Sequence, residues 1–241
     1  EGAINAGIAP KFSDPYSYGQ GTNWQDEVFN NNAPMMNHQV SVSGASEKVN
    51  YLFSLGFYTQ DGIVGGNFDR SNYERLTLRS NTQYSLFDES KERNWLNSLK
   101  VTSNLSYARI KSTNFDDNST WGTPLGSALA LSPILNVYDE TEEAIKAQFD
   151  KYGTTAEYTP VYDPRNGKLF SIPGEFGEMS NPIAKLSLPG DKHWSHKFVA
   201  NFSAELQLWD NLKFKTSYGA DLSFWGYDGY RPLYYLRSGE S

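Results

Sequence analysis

Apolar and polar side chains alternate with a period of two along much of the chain, the pattern of strands that present one face to an apolar medium and the other to a polar one. Residues 38–43 set Val40 and Val42 against Gln39, Ser41 and Ser43, and 49–59 set Tyr51, Phe53, Leu55 and Phe57 against Asn50, Ser54, Gly56 and Tyr58. The spacing predicts a longer strand at 73–86, with Leu76, Leu78, Tyr84 and Leu86 opposite Arg75, Thr77, Arg79, Asn81 and Gln83. Another at 99–109 has Leu99, Val101, Leu105 and Tyr107 opposite Lys100, Thr102, Asn104 and Ser106. The clearest pair is 198–209 and 212–225, whose apolar rows from Phe198 to Leu208 and from Leu212 to Phe224 flank a two-residue Asp210-Asn211 turn. These add up to six strands, all-β and antiparallel.

The connections differ sharply in length. Residues 1–36 read as loop, Gly44-Ala45-Ser46-Glu47 as a turn, and 60–72 and 87–98 as medium links. Residues 111–197 form a long excursion, punctuated by Asp163-Pro164-Arg165-Asn166-Gly167 and Asn181-Pro182, with a short helix expected near 139–151.

Alternation suits two media: the core and surface of a soluble sandwich, or the lipid and lumen of a transmembrane barrel. The strands here are longer than the about five or six residues usual in sandwiches and match the about 9–11 a tilted strand needs to cross a bilayer. Charges sit mid-strand on the polar side, at Arg75, Arg79, Glu205 and Asp221, as a wet lumen allows. Turns 44–48, 87–98 and 210–211 fall at one end, and 1–36, 60–72 and 111–197 at the other, the pattern of short periplasmic turns and long external loops. Aromatics near strand ends (Tyr58, Tyr84, Tyr107, Phe198, Trp209, Phe224, Trp225) resemble interfacial girdles. Six strands leave two open edges that lipid cannot satisfy, so the expectation is a segment of a larger barrel.

Composition narrows the chemistry. No apolar run is long enough for a transmembrane helix, and aromatics reach 15% of the chain. Twenty-one basic residues against 28 acidic ones, net -7, argue against a nucleic-acid surface. Cysteine is absent, which excludes disulfide and thiolate sites. Three histidines, with His193 and His196 the one close pair, make no metal centre, and Asp116-Asp117-Asn118 lacks the other positions of a calcium loop. Glu175 with Glu178, or Asp139 with Glu140, are the carboxylate pairs a glycosidase reading would need, and nothing in the sequence positions them. The reading is therefore not an enzyme, with no catalytic residue, metal or cofactor.

At this point a family resemblance enters. Tyr18-Gly19-Gln20-Gly21-Thr22-Asn23-Trp24-Gln25-Asp26-Glu27-Val28-Phe29 resembles a stretch of the SusC/RagA-type TonB-dependent outer-membrane transporters of Bacteroidetes, with Asn23 where the family tends to have Asp. The segments 37–44, 50–58, 60–64 and 73–81 follow in the family's order, as do Asn181-Pro182-Ile183-Ala184 and Leu212-Lys213-Phe214-Lys215. The resemblance implies a multi-pass barrel of about 22 strands in the outer membrane, plugged by an N-terminal domain. It implies TonB-energised import of oligosaccharides or peptides under a SusD-like surface lipoprotein. This chain would supply barrel wall and outer loops, and the plug and the TonB-contacting segment would lie outside it. The corresponding division is 1–36 extracellular loop, 37–110 strands, 111–197 extracellular loop, 198–226 hairpin and 227–241 the start of the next loop. Partners are then the plug, the lipoprotein, the cargo and outer-membrane lipid, with no nucleic acid.

Two residue sets follow as candidates. Arg75, Arg79, Glu205 and Asp221 form a luminal row facing cargo or plug. Trp121, Tyr138, Tyr158 and Tyr162 are loop aromatics able to stack on sugar faces. The rival reading is a soluble carbohydrate-binding β-sandwich, which leaves the long strands and the 111–197 excursion unexplained.

Overall fold

The computed structural model describes residues 17, 19–87, 95–115, 122–138, 141–143, 146–147, 160–173 and 179–230. Six strands form one antiparallel sheet in chain order: β1 (Met35–Ala45), β2 (Val49–Asp61), β3 (Asn72–Phe87), β4 (Ser98–Asn114), β5 (Asp191–Trp209) and β6 (Leu212–Asp228). Every strand pairs only with its neighbours in sequence, and no second sheet packs on it among the described residues. A sandwich needs two sheets face to face.

The register carries the sidedness across all six strands. Val40, Leu55, Leu78, Tyr107, Phe198 and Leu222 stand in one continuous row. The row next to it, on the other face, is Ser41, Ser54, Arg79, Ser106, Val199 and Asp221. Because directly opposed residues in an antiparallel ladder share a face, the alternation of each strand adds up to one apolar and one polar side of the sheet. The apolar side is not buried: Val40, Phe53, Phe198, Leu222 and Phe224 are all exposed.

The buried core lies elsewhere, in the connections at one end of the sheet. Three short helices, α1 (Trp24–Val28), α2 (Pro124–Ala130) and α3 (Pro182–Ser187), pack Trp24, Val28, Val64, Leu131, Phe170, Ile183 and Leu186 into one cluster. Each helix starts on a side-chain cap. Asn23 accepts from the amide of Asp26, Thr123 from that of Gly126, and Asn181 from those of Ile183 and Ala184. Asn and Asp cap equally well, so Asn23 at this position costs the helix no cap. This cap is made of three connections: the one before β1, the one between β2 and β3, and the one between β4 and β5. At the opposite end the turns are tied together, with Leu96 donating to the carbonyl of Leu208 at 2.9 Å and Asn97 Nδ2 to Asp210 at 2.9 Å.

Several boundaries differ from expectation. Strand β5 begins at Asp191, not 198, and β4 runs on to Asn114, so the connection expected at 111–197 shrinks at both ends. The Lys192–Lys197 segment mixes charged, aromatic and polar residues and shows no clean alternation, yet it pairs fully with Ala108–Thr113 of β4. Met35 and Met36 belong to β1, and Tyr227 and Asp228 to β6. Gly44 and Ala45 are strand residues too: the turn is at Ser46–Lys48, where Ser46 Oγ accepts from the amides of Lys48 and Val49. Of the helix expected at 139–151, residues 142, 143, 146 and 147 are helical, Thr141 is not, and the others lie outside the described residues.

Candidate functional site

The polar face of the sheet is the first candidate surface. Register puts Arg75, Arg79, Glu205 and Asp221 all on it, as the alternation implied. They do not form one cluster. Asp221 is taken by Lys197 at 3.4 Å across β5 and β6. Glu205 stands in register between Lys100 and Lys215. Arg75 and Arg79 sit on the other half of the sheet, where β1, β2 and β3 place no carboxylate on this face. The guanidinium of Arg75 lies over the Tyr58 ring, 5.6 Å from its centroid, and Tyr58 Oη donates to Gln60 at 2.6 Å. Between the arginines the neighbouring side chains are small, and a niche of about 100 Å³ opens among Asn37, Gln39, Ser54, Gly56, Tyr58, Arg75 and Arg79.

Across the whole polar face six cations (Arg75, Arg79, Lys100, Lys197, Lys213, Lys215) meet three carboxylates (Asp191, Glu205, Asp221). Among the described strands this face is therefore net positive, while the chain as a whole carries a net charge of -7. Two aromatics assigned to girdles also prove to lie here: Tyr58 shares the row of Arg75, and Trp225 faces the same way, 77% exposed. Alternation of Phe224 with Trp225 was the signal that could have separated them.

Toward the cap the apolar face carries one polar pair, Tyr107 Oη and His196 Nδ1 at 2.8 Å. On β6 it runs uncharged from Leu212 to Phe224. That is about 41 Å along the strand, or about 30 Å once tilted by about 40°, enough for the about 25 Å apolar band of a transmembrane barrel. Val40, Phe53, Leu55, Leu78, Leu105 and Phe198 surround a shallow apolar hollow of about 520 Å³. Closer to the cap the first charges appear, at Arg109 and at the opposed pair Glu74 and Lys111.

The cap contains the most tightly built polar constellation. The Asp163-Pro164-Arg165-Asn166-Gly167 segment is a hairpin turn, closed by Asp163 N to Lys168 O at 2.8 Å and Phe170 N to Val161 O at 3.0 Å. The fully buried Asp163 carboxylate accepts from Arg165 Nη2 at 2.7 Å, from the Arg165 amide at 2.8 Å and from Tyr138 Oη at 2.7 Å. Arg165 then donates to the carbonyl of Gly66 at 2.9 Å and lies 3.7 Å over the Phe68 ring. Burial by itself would raise the pKa of Asp163, but the hydrogen bonds from Arg165 and Tyr138 outweigh it and hold the carboxyl below its ordinary value. Burial, helped by the bond to Asp163, pushes the Tyr138 phenol up. The bond to Asp163 raises Arg165 further. Arg70 is lowered by burial, and it donates to the carbonyls of Leu186 and Ser187 at 2.9 and 2.6 Å, closing the C-terminal end of α3.

These contacts make Tyr138 a structural residue: it bonds Asp163 and stacks on Phe170 at 5.3 Å. Tyr162 is half-exposed and bonded to Glu142. Trp121 and Tyr158 lie outside the described residues, as do Asp116–Asn118, Asp139, Glu140, Glu175 and Glu178. His193 and His196 point to opposite faces of β5, so one ion has no common access to both. Among the described residues no group of three or more metal-ligating side chains assembles.

A long-stranded sheet, apolar on one face and polar on the other, crowned at one end by a folded loop cluster, is a section of transmembrane β-barrel wall. Comparison with known proteins gives the kind of barrel. The chain is 32% identical over 203 residues to TonB-dependent receptor P26 of Formosa agariphila, covering 84% of this chain and 16% of that protein. It is 29% identical over 193 residues to TonB-dependent receptor SusC of Bacteroides thetaiotaomicron (78% and 16%), and 27% over 210 residues to TonB-dependent receptor P3 of Formosa agariphila (86% and 17%). Among solved structures, the RagAB peptide importer in its closed-closed state matches with a TM-score of 0.52 at 21% identity, and the RagAB peptide transporter with 0.54. Both matches cover 85% of this chain and 19% of the matched one, and they speak to the fold alone. No family model matches. The chain is related to SusC-type TonB-dependent receptors and corresponds to part of their β-barrel, about one-sixth of the length of the curated relatives.

Proposed function

We propose that the chain forms wall and outer loops of an outer-membrane barrel that imports large nutrients, oligosaccharides or peptides, with energy relayed through TonB. The observation that carries this reading is the sidedness of the sheet: a six-strand apolar face that none of the described residues covers, while the buried core sits in the connections at one end. The apolar face meets lipid, the polar face meets the plug and passing cargo, and the cap stands outside the cell under a SusD-like lipoprotein. The names of the relatives, receptors and an importer, support transport and give no support to enzymatic chemistry.

The lack of cysteine in this chain makes sidedness measurable. In cells producing the full-length receptor that contains it, a membrane-impermeant maleimide is expected to label Lys168→Cys, in the cap, without disruption. Asn211→Cys, in the opposite turn, is expected to react only after the outer membrane is opened. Labelling of Asn211→Cys in sealed cells overturns the orientation.

A further inference from the structure

The cations of the polar face are answered unevenly. Lys197 has Asp221 at 3.4 Å, Lys100 and Lys215 stand in register with Glu205, and Lys213 stands opposite Gln207. Arg75 and Arg79 have no carboxylate partner among the described residues, and none is available on this face of β1, β2 or β3. The planar guanidinium presents paired N–H donors that match the two oxygens of a carboxylate.

The ground around them is shaped for an incoming group. Four residues apart on one face of β3, the two guanidinium stems stand about 13 Å apart along the strand, within converging reach of their long side chains. Gly56, opposite Thr77 between them, leaves the floor empty: a Cβ there would meet nothing nearer than the Thr77 side chain at 3.9 Å. Gly56 has ordinary strand geometry, so no backbone demand explains the missing side chain. On the rim, Gln39 Nε2 donates to Ser54 Oγ at 3.2 Å, holding amide and hydroxyl at the edge of the niche. Tyr58 beneath Arg75 fixes one guanidinium by its ring face.

We propose that the niche between Arg75 and Arg79, floored by Gly56, is a carboxylate-binding site on the polar face of the sheet. The chemistry has two sources, an acidic side chain of the segment that fills the lumen or an acidic cargo molecule, and they are separable by experiment. The proposal rests on the polar face being the lumen, which the cysteine labelling tests without touching either arginine.

The test uses the purified full-length receptor in detergent, with the modification rates of Arg75 and Arg79 by phenylglyoxal read by mass spectrometry, and pentaglutamate and tetragalacturonate as carboxylate probes. Arginines protected at rest, with Arg75→Gln/Arg79→Gln lowering the thermal midpoint of the receptor, place a resident carboxylate in the niche. Arginines reactive at rest and slowed about five-fold or more by either probe in the parent protein, but not in Gly56→Val, place a cargo carboxylate there. Gly56→Val fills the floor, keeps both charges and favours the strand, so it remains informative if the double arginine variant does not fold. Arginines reactive at rest and indifferent to both probes overturn the proposal. So does protection at rest with a midpoint that the double variant leaves unchanged.

Discussion

The guanidinium of Arg165 lies 3.7 Å over the ring of Phe68, nearly a hundred residues earlier in the chain. Through this stack, and its bond to the Gly66 carbonyl, the β4–β5 connection grips the β2–β3 connection. Replacing Arg165 by Met keeps part of the packing and removes two side-chain donors, Nε and Nη2, from the buried Asp163. The expected cost is about 1–2 kcal/mol, toward the lower end because Arg165 itself is partly exposed. Hydrogen exchange in the full-length receptor is expected to quicken at Gly65–Phe68 and Asp163–Phe170 and to stay unchanged in β5 and β6. Uniform loss of protection across the sheet would contradict a local clasp.

Acid acts on the same clasp with a definite sign. The folded pKa of Asp163 is depressed, so its contribution is fully present above the ordinary carboxylate value of about 3.9 and is lost as pH falls through the lower, folded value. Cap protection measured from neutral pH downward is expected to hold until about pH 4 and then to decline. Asp163→Asn removes the titrating group, so its curve is expected to lie lower and to be flatter over that interval. A parent and variant with parallel pH profiles would remove Asp163 from the account.

Asn181 ties more of the cap together than any other side chain described here. Its Oδ1 caps α3, and its Nδ2 donates to the carbonyls of Val137 at 2.8 Å and Ser171 at 3.1 Å. Asn181→Ala removes a helix cap and one donor from each carbonyl, Val137 keeping the Ser171 amide at 3.1 Å, an expected loss of about 1–3 kcal/mol. Asn181→Asp keeps the cap and loses the two donations, so it should fall between Ala and the parent in a protease-susceptibility series. Equal susceptibility of all three would show the contacts to be idle.

Gly21 is held at φ +72°, and a Cβ there would meet the carbonyl oxygen of Pro133 at 2.6 Å. Gly21→Ala therefore combines left-handed strain with a backbone clash, at an expected cost of about 1–3 kcal/mol. The same change at Gly19, also left-handed but facing open space, is the comparison: it is expected to cost less in the thermal midpoint. Equal costs would mean that contact with Pro133 does not matter.

The strands were legible because two-fold alternation persists wherever both faces keep one character, as from Phe198 to Leu208 and from Leu212 to Phe224. It failed where it meets the mixed band under the cap. There His193, Trp194, Ser195 and His196 vary in polarity without period, and only pairing with β4 makes them strand. The three short helices have too few turns to show an amphipathic period, although their starts were visible as Thr123-Pro124 and Asn181-Pro182, a capping residue followed by proline at the first helical position. Placing Arg75 and Arg79 on the polar face followed from parity. Their isolation from Glu205 and Asp221 did not, because it depends on which strands lie between them. The role of Tyr138 was hidden for the same reason, since Asp163 and Phe170 reach it through folding of the long connection.

Charge on the apolar face should be costly where the same charge on the polar face is not. Leu78→Arg, in the middle of that face, is expected to destabilise the receptor by about 2–4 kcal/mol in vesicles, while Asn104→Arg on the other side should stay near zero. Urea-dependent refolding of the full-length protein into lipid reads both. Matching losses at the two positions would dissolve the distinction between the faces.

The most direct measurement is a spin-label scan along β5, from Lys197 to Ala204, in the full-length receptor reconstituted in lipid. Collision rates with oxygen, which concentrates in the acyl region, are expected to peak at 198, 200, 202 and 204 and to dip at 197, 199, 201 and 203. That two-residue oscillation in this phase would establish lipid against the apolar face. Oscillation in the opposite phase, or equal access of a water-soluble nickel reagent at all eight positions, would contradict a membrane-spanning wall.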